Sequence, residues 1–150
     1  MALSKIIAEG VDLTDTFAFT GTVTGAGEIT ASSTAPSEGG AATTNLVQGL
    51  TKVWVNFNGT GTIAARDSLN VTSLTDFGTG EHAPNYTNAL NNGNYSVHLS
   101  TGDPAGGATL ADQYLYALNT TYVRALVTNW SSGSAQDMPL ETISIHGDLA

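Results

Sequence analysis

The chain has 150 residues, no cysteine and a formal net charge of -9, with 11% of residues charged. Polarity therefore comes from neutral Thr, Ser, Asn and Gly, a composition that favours turns and strands over surface helix. Four Lys and Arg against thirteen Asp and Glu build no basic footprint, so neither nucleic acid nor an anionic membrane surface is an expected partner. Without cysteine there is no disulfide framework, thiol nucleophile or zinc-thiolate cluster. The length suits one domain, and 41% apolar residues at low charge density argue against intrinsic disorder.

In chain order, the first segment holds Leu3, Ile6 and Ile7, an apolar patch interrupted by Glu9 and too short for a signal peptide or a membrane span. From Thr14 to Val23 the pattern alternates and puts Phe17, Phe19 and Val23 on one face of a strand. Residues 25–49 are rich in Ala, Ser, Thr and Gly, with Pro36 and Gly39-Gly40, and read as a linker that needs a surface to lie on. The chain therefore divides into an extended N-terminal arm over residues 1–50 and a β domain over residues 51–150.

The β domain reads as strands with turn chemistry every ten residues or so. Val53, Val55 and Phe57 alternate with Trp54 and Asn56 before the turn dipeptide Asn58-Gly59. Leu69 and Val71 share a face in the next segment. Asp76 to Glu81 reads as a hairpin loop, followed by a short strand around Tyr86 and a turn at Asn91-Asn92-Gly93. Tyr95, Val97 and Leu99 alternate with Ser96 and His98. A loop with Asp103-Pro104 and Gly106-Gly107 precedes strands at 114–118, 122–127 and 141–146. Seven or eight short strands give an all-β fold, an antiparallel β-sandwich of jelly-roll-like type.

Several motifs invite chemistry. His82, His98 and His146 never fall at metal-ligand spacing, so a metal site requires the fold to bring them together. Gly59-Thr60-Gly61-Thr62 lacks the Lys of a phosphate loop and reads as a tight turn. The Asp76–Glu81 loop has two carboxylates but no EF-hand text. Serine abounds without a nucleophile elbow, so no enzyme and no cofactor is expected. Six Asn-X-Ser/Thr triplets follow from composition, and no secretory signal accompanies them. Arg66, beside Asp67, is expected to fix loop geometry by pairing with a carboxylate, as Asn58-Gly59 fixes a turn. Tyr86, Tyr95, Tyr114, Tyr116, Tyr122 and Trp130 admit two readings: core or subunit interface, or stacking on the sugar rings of a receptor. Tyr114, Tyr116 and above all Trp130, in its Asn-Trp-Ser-Ser-Gly loop, are the candidates for receptor contact.

The stretch from Trp54 through Asn58-Gly59-Thr60-Gly61-Thr62 to Arg66-Asp67-Ser68-Leu69-Asn70-Val71 resembles a segment of virion structural proteins, tail-fibre and fibre-like, of tailed bacteriophages infecting marine bacteria. The likeness continues through Leu74–Glu81, Tyr95-Ser96-Val97 and Ile143–Asp148, with a weaker one at Asp15–Gly27. It departs at His82-Ala83-Pro84-Asn85, where Pro84 predicts a shortened or edge strand. The resemblance implies a β-rich tip or collar domain, assembled as a homotrimer, without enzymatic activity, and located in the virion after synthesis in the host cytoplasm. It also implies partners among other virion proteins of tail or capsid and a host surface glycan or receptor. The arm then supplies the anchor, through Leu3, Ile6, Ile7, Phe17 and Phe19. Two functions fit: a short tail-fibre or appendage component in host attachment, and a head fibre or capsid decoration protein.

Overall fold

The computed structural model describes residues 34–36, 43–105 and 111–150. Two short strands, β1 (Thr34–Pro36) and β2 (Thr43–Asn45), pair with each other, and α1 (Leu46–Gly49) is a single helical turn. These elements occupy a stretch whose composition reads as linker. A four-residue helix has no independent stability, and α1 is held from outside. Asn45 caps it by accepting from Gln48 N, Gln48 Nε2 donates to Asp148 Oδ1 at 2.8 Å, and Lys52 Nζ donates to the carbonyls of Val47 and Leu50.

Eight antiparallel strands follow: β3 (Val53–Asn58), β4 (Ala64–Leu69), β5 (Val71–Gly78), β6 (Glu81–Tyr86), β7 (Ser96–Gly102), β8 (Ala111–Leu118), β9 (Val123–Asn129) and β10 (Leu140–His146). They form two four-stranded sheets, ordered β4-β3-β10-β7 and β5-β6-β9-β8, which make a β-sandwich. The alternation read from β3 is the one observed, with Val53, Val55 and Phe57 fully buried. Ile143 and Ile145 of β10 oppose Val55 and Val53 in register. Val123 and Ala125 of β9 close the core from the other sheet. Each buried Val, Ile or Phe side chain contributes roughly 1.5–3 kcal/mol, so the inner strands carry the cohesion. The edge strands add only the partly buried Val71, Leu74, Val97 and Leu99.

Two expectations about strands are corrected. Leu69 and Val71 do not share one strand: Leu69 ends β4 in one sheet and Val71 begins β5 in the other. The chain crosses at Asn70, whose φ of 59° lies in the left-handed region that Asn tolerates better than most residues. Its side chain clamps the corner, accepting from Asn88 N at 2.7 Å and donating to Asn88 O at 3.1 Å. Leu69 is consequently 47% exposed and not part of the core.

The strand carrying Pro84, expected to be short or at an edge, is an inner strand paired with β5 along its length. Its ladder to β9 covers only Glu81 and His82, with a further bridge at Asn85. Tyr86 N donates to Thr121 O on the β9 side, and two-residue alternation turns the Pro84 nitrogen the same way. The missing donor of proline thus interrupts one ladder and leaves the other intact.

Candidate binding face

The outer surface of the sheet β5-β6-β9-β8 carries a row of side chains crossing all four strands. Two-residue alternation in β9 turns Val123, Ala125 and Val127 inward and Arg124 and Leu126 outward. Arg124 Nε lies 2.6 Å from Glu81 Oε1 on β6. The guanidinium sits between two rings, 4.1 Å from the centroid of Phe77 on β5 and 5.1 Å from that of Tyr116 on β8. Cation–π attraction adds on the order of 0.5–1 kcal/mol per exposed contact. It fixes ring orientation on a rigid sheet, leaving Phe77 46%, Tyr114 50% and Tyr116 63% exposed.

Beside this row, Tyr114, Leu115, Tyr116, Leu126, Thr128 and Gly133 line a groove of about 470 Å³. Its end is formed by the turn that follows β9. Asn129 Oδ1 accepts from Ser131 N at 3.0 Å, Ser131 Oγ at 2.7 Å and Ser132 N at 3.2 Å, and Gly133 takes a φ of 67° as the chain reverses. Trp130 rides on this turn, 57% exposed; Gly133 of the same turn borders the groove, whereas the indole does not line it. The three candidate receptor contacts therefore fall on one sheet and its adjoining turn. The other tyrosines go elsewhere. Tyr86 is buried in the core, and Tyr95 donates from its hydroxyl to Asn119 O at 2.9 Å; burial pushes both phenols up in pKa.

A second polar cluster lies inside the sandwich. His82 on β6 is 1% exposed, and its Nδ1 reaches Glu141 on β10, in the opposite sheet, at 3.1 and 3.2 Å from the two carboxylate oxygens. Its Nε2 has no hydrogen-bond partner among the described residues and stands 3.9 Å from Asp137 Oδ1, which accepts from Gly80 N at 2.6 Å. Glycine is required nearby for two different reasons. Gly80 has a φ of 70°, and a Cβ there would meet Val127 O at 2.4 Å. Gly59 has ordinary backbone, but a Cβ would sit 2.1 Å from Glu141 Oε1.

The remaining site residues are placed as follows. Asn58 binds the Thr60 hydroxyl and carbonyl across the turn, and Gly59 N donates to Met138 O at 2.9 Å. Among the described residues Arg66 pairs with no carboxylate. Its guanidinium donates to Pro139 O at 2.6 Å and Asn56 Oδ1 at 3.2 Å, while Asp67 caps Ser68 N at 2.8 Å. Neutral partners satisfy Arg66 because the chain before β10 runs past it. His98 and His146 do meet, rings 5.8 Å apart, on the sheet opposite His82. Among the described residues no group of three or more His, Asp or Glu is arranged to hold a metal ion. Asp76 caps Gly78 N and Glu81 is taken by Arg124, so the hairpin between them has its carboxylates engaged. The anchor residues Leu3, Ile6, Ile7, Phe17 and Phe19, and Gly106-Gly107, lie outside the described residues.

The sequence singles out neither Phe77, Arg124 nor Glu141, and His82 and Glu81 enter it only as candidate metal ligands, not as partners of these residues. The only local signal was the outward spacing of Arg124 and Leu126. Compared with protein-family models, curated proteins and solved structures, the chain matches none.

Proposed function

We propose that this chain is a structural protein of a bacteriophage virion, a short tail-fibre or appendage component that takes part in host attachment. The observation that carries the reading is the outer face of β8 and β9, where Tyr114 and Tyr116 stand half exposed or more beside a groove. Large exposed apolar groups held on a rigid sheet mark interaction surfaces. Aromatic faces beside a guanidinium–carboxylate pair suit the rings and hydroxyls of a host glycan. Assembly as a homotrimer, with the arm lying on a neighbour and other virion proteins as partners, belongs to the same reading, and catalysis has no part in it.

A second reading, a head fibre or capsid decoration protein, is favoured by the short strands of the described sandwich, which run six to eight residues. For a jelly-roll-like wrap the support is that β3 and β10, first and last in the sandwich, lie side by side. The hairpins β3–β4, β5–β6 and β8–β9, each within one sheet, weigh against it.

The test is binding of purified protein to an array of bacterial surface polysaccharides. Tyr116→Ala and Trp130→Ala are each expected to weaken binding about tenfold, or ~1.4 kcal/mol. Thermal stability should change by less than about 1 kcal/mol, as for exposed positions generally. Absence of polysaccharide binding, together with capsid localisation in an image of the whole particle, would replace attachment by decoration.

A further inference from the structure

The sandwich is unevenly closed. On one side the two edge strands β4 and β5 are joined only through the corner at Asn70, and each pairs on a single side, with β3 and β6 respectively. Between them runs a groove of about 260 Å³ lined by Ile63, Ala64, Ala65, Ser68 and the four consecutive residues Val71–Leu74. In register, Ala65 and Ser68 oppose the buried Phe57 and Val55. The edge strand thus brings very small side chains to positions where its neighbour brings core residues. Ile63, Val71 and Leu74 remain half-buried beside them. Apolar groups are therefore missing along this side, and two ladder edges are unpaired where a strand would fit.

The occupant with matching chemistry is in the chain itself. Phe17, Phe19 and Val23 share one side with Gly21, and beyond an interruption at Asp15 the same side carries Val11 and Leu13, while Asp12, Thr14, Thr16, Ala18, Thr20 and Thr22 take the alternate positions. Such a pattern presents one largely apolar face, broken at Asp15, and one largely polar face when extended. The place where the described chain starts also fits. Thr34 pairs with Asn45, so the β1–β2 sheet returns the chain to the end of the sandwich where β3 begins and, in register with Trp54, β4 ends. From there residues 24–33 span up to roughly 33 Å.

We infer that segment 11–23 of one subunit lies in the groove between β4 and β5 of the next, its apolar side chains inserted between the sheets and its backbone paired along the free edge of β5. The inference rests on the assembly proposed above and deepens it: subunits are joined by strand addition, and the acidic chains need no charge attraction to associate.

The absence of native cysteine makes this directly testable. Protein carrying Ser73→Cys is refolded together with protein carrying Thr16→Cys, Ala18→Cys or Thr20→Cys, and oxidised. Disulfide formation demands Cβ atoms within about 4.5 Å. A link between one chain of each kind is expected for at least one arm position, and its loss is expected when Phe17→Asp and Phe19→Asp are added to the arm variant. Three outcomes overturn the inference separately. An oligomer by light scattering with no link at any arm position leaves the assembly standing and removes the strand exchange. In a further variant that carries both cysteines in one chain, a link that forms within the chain, with none between chains of the mixture, assigns the groove to its own arm. A folded 15.4 kDa monomer removes the assembly itself.

Discussion

His82 shows how one interior residue imposes a pH dependence on the whole sandwich. Burial alone would push its imidazole down in pKa. The hydrogen bond and charge of Glu141, with the charges of Asp137 and Asp76, outweigh burial and hold it above its usual 6.5. The folded state therefore keeps a proton that the unfolded chain releases, and the stabilisation from this group is complete below about pH 6.5 and lost as pH rises through the raised value. Denaturant midpoints measured from about pH 6 to pH 9 should fall toward the alkaline end. Glu141→Gln removes the charge that holds the proton, so its profile should be flatter. It should cost about 1–3 kcal/mol at the acid end, the usual range for a buried hydrogen-bonded partner. A wild-type midpoint that rises over this range would contradict the assignment.

At the scale of elements, α1 depends on Lys52, whose ammonium gathers the carbonyl of Val47 and that of the C-cap residue Leu50. Lys52→Met keeps the stem buried and removes the donor. Protease cleavage within Leu46–Leu50 is then expected to accelerate several-fold while the sandwich unfolds at nearly its original midpoint. The strands themselves were legible to differing degrees. β3, β7 and β10 announce themselves because period-two alternation is a local property. The break between β4 and β5 was not visible, since one Asn in a left-handed conformation changes sheets without the Gly or Pro that usually marks a turn. The missing donor of Pro84 is legible in the sequence, whereas the side it faces depends on the pairing with β9. For the same reason Tyr114 and Tyr116 could be picked from the sequence as an aromatic pair, whereas Phe77 and Arg124 could not. Nor could His82 and Glu141, which are 59 residues apart and meet only across two sheets.

For the whole molecule, every described strand of the sandwich falls between Val53 and His146. A chain reduced to residues 51–150 should therefore still fold and unfold cooperatively, because Val53, Val55, Phe57, Val123, Ile143 and Ile145 all remain. Light scattering should find the full chain at three times 15.4 kDa and the shortened chain as a monomer. The net charge of -9 per subunit opposes association, and salt screens that repulsion over a Debye length of roughly 10 Å at 0.1 M. The oligomer should hold together better in salt than in dilute buffer. Failure of the shortened chain to fold would mean that residues before Thr51 belong to the core.

The hold of Met138 on Gly59 also decides how the protein ages. Asparagine followed by glycine loses ammonia when the next backbone nitrogen attacks the side-chain carbonyl, and the chain has two such pairs, Asn58-Gly59 and Asn92-Gly93. At the first, that nitrogen is committed to Met138 O, Gly59 is buried, and the Asn58 amide is tied to Thr60. At the second, Asn92 is exposed in a bend. Peptide mapping after prolonged storage in mildly alkaline buffer should find deamidation at Asn92 first, with Asn58 intact until the sandwich opens.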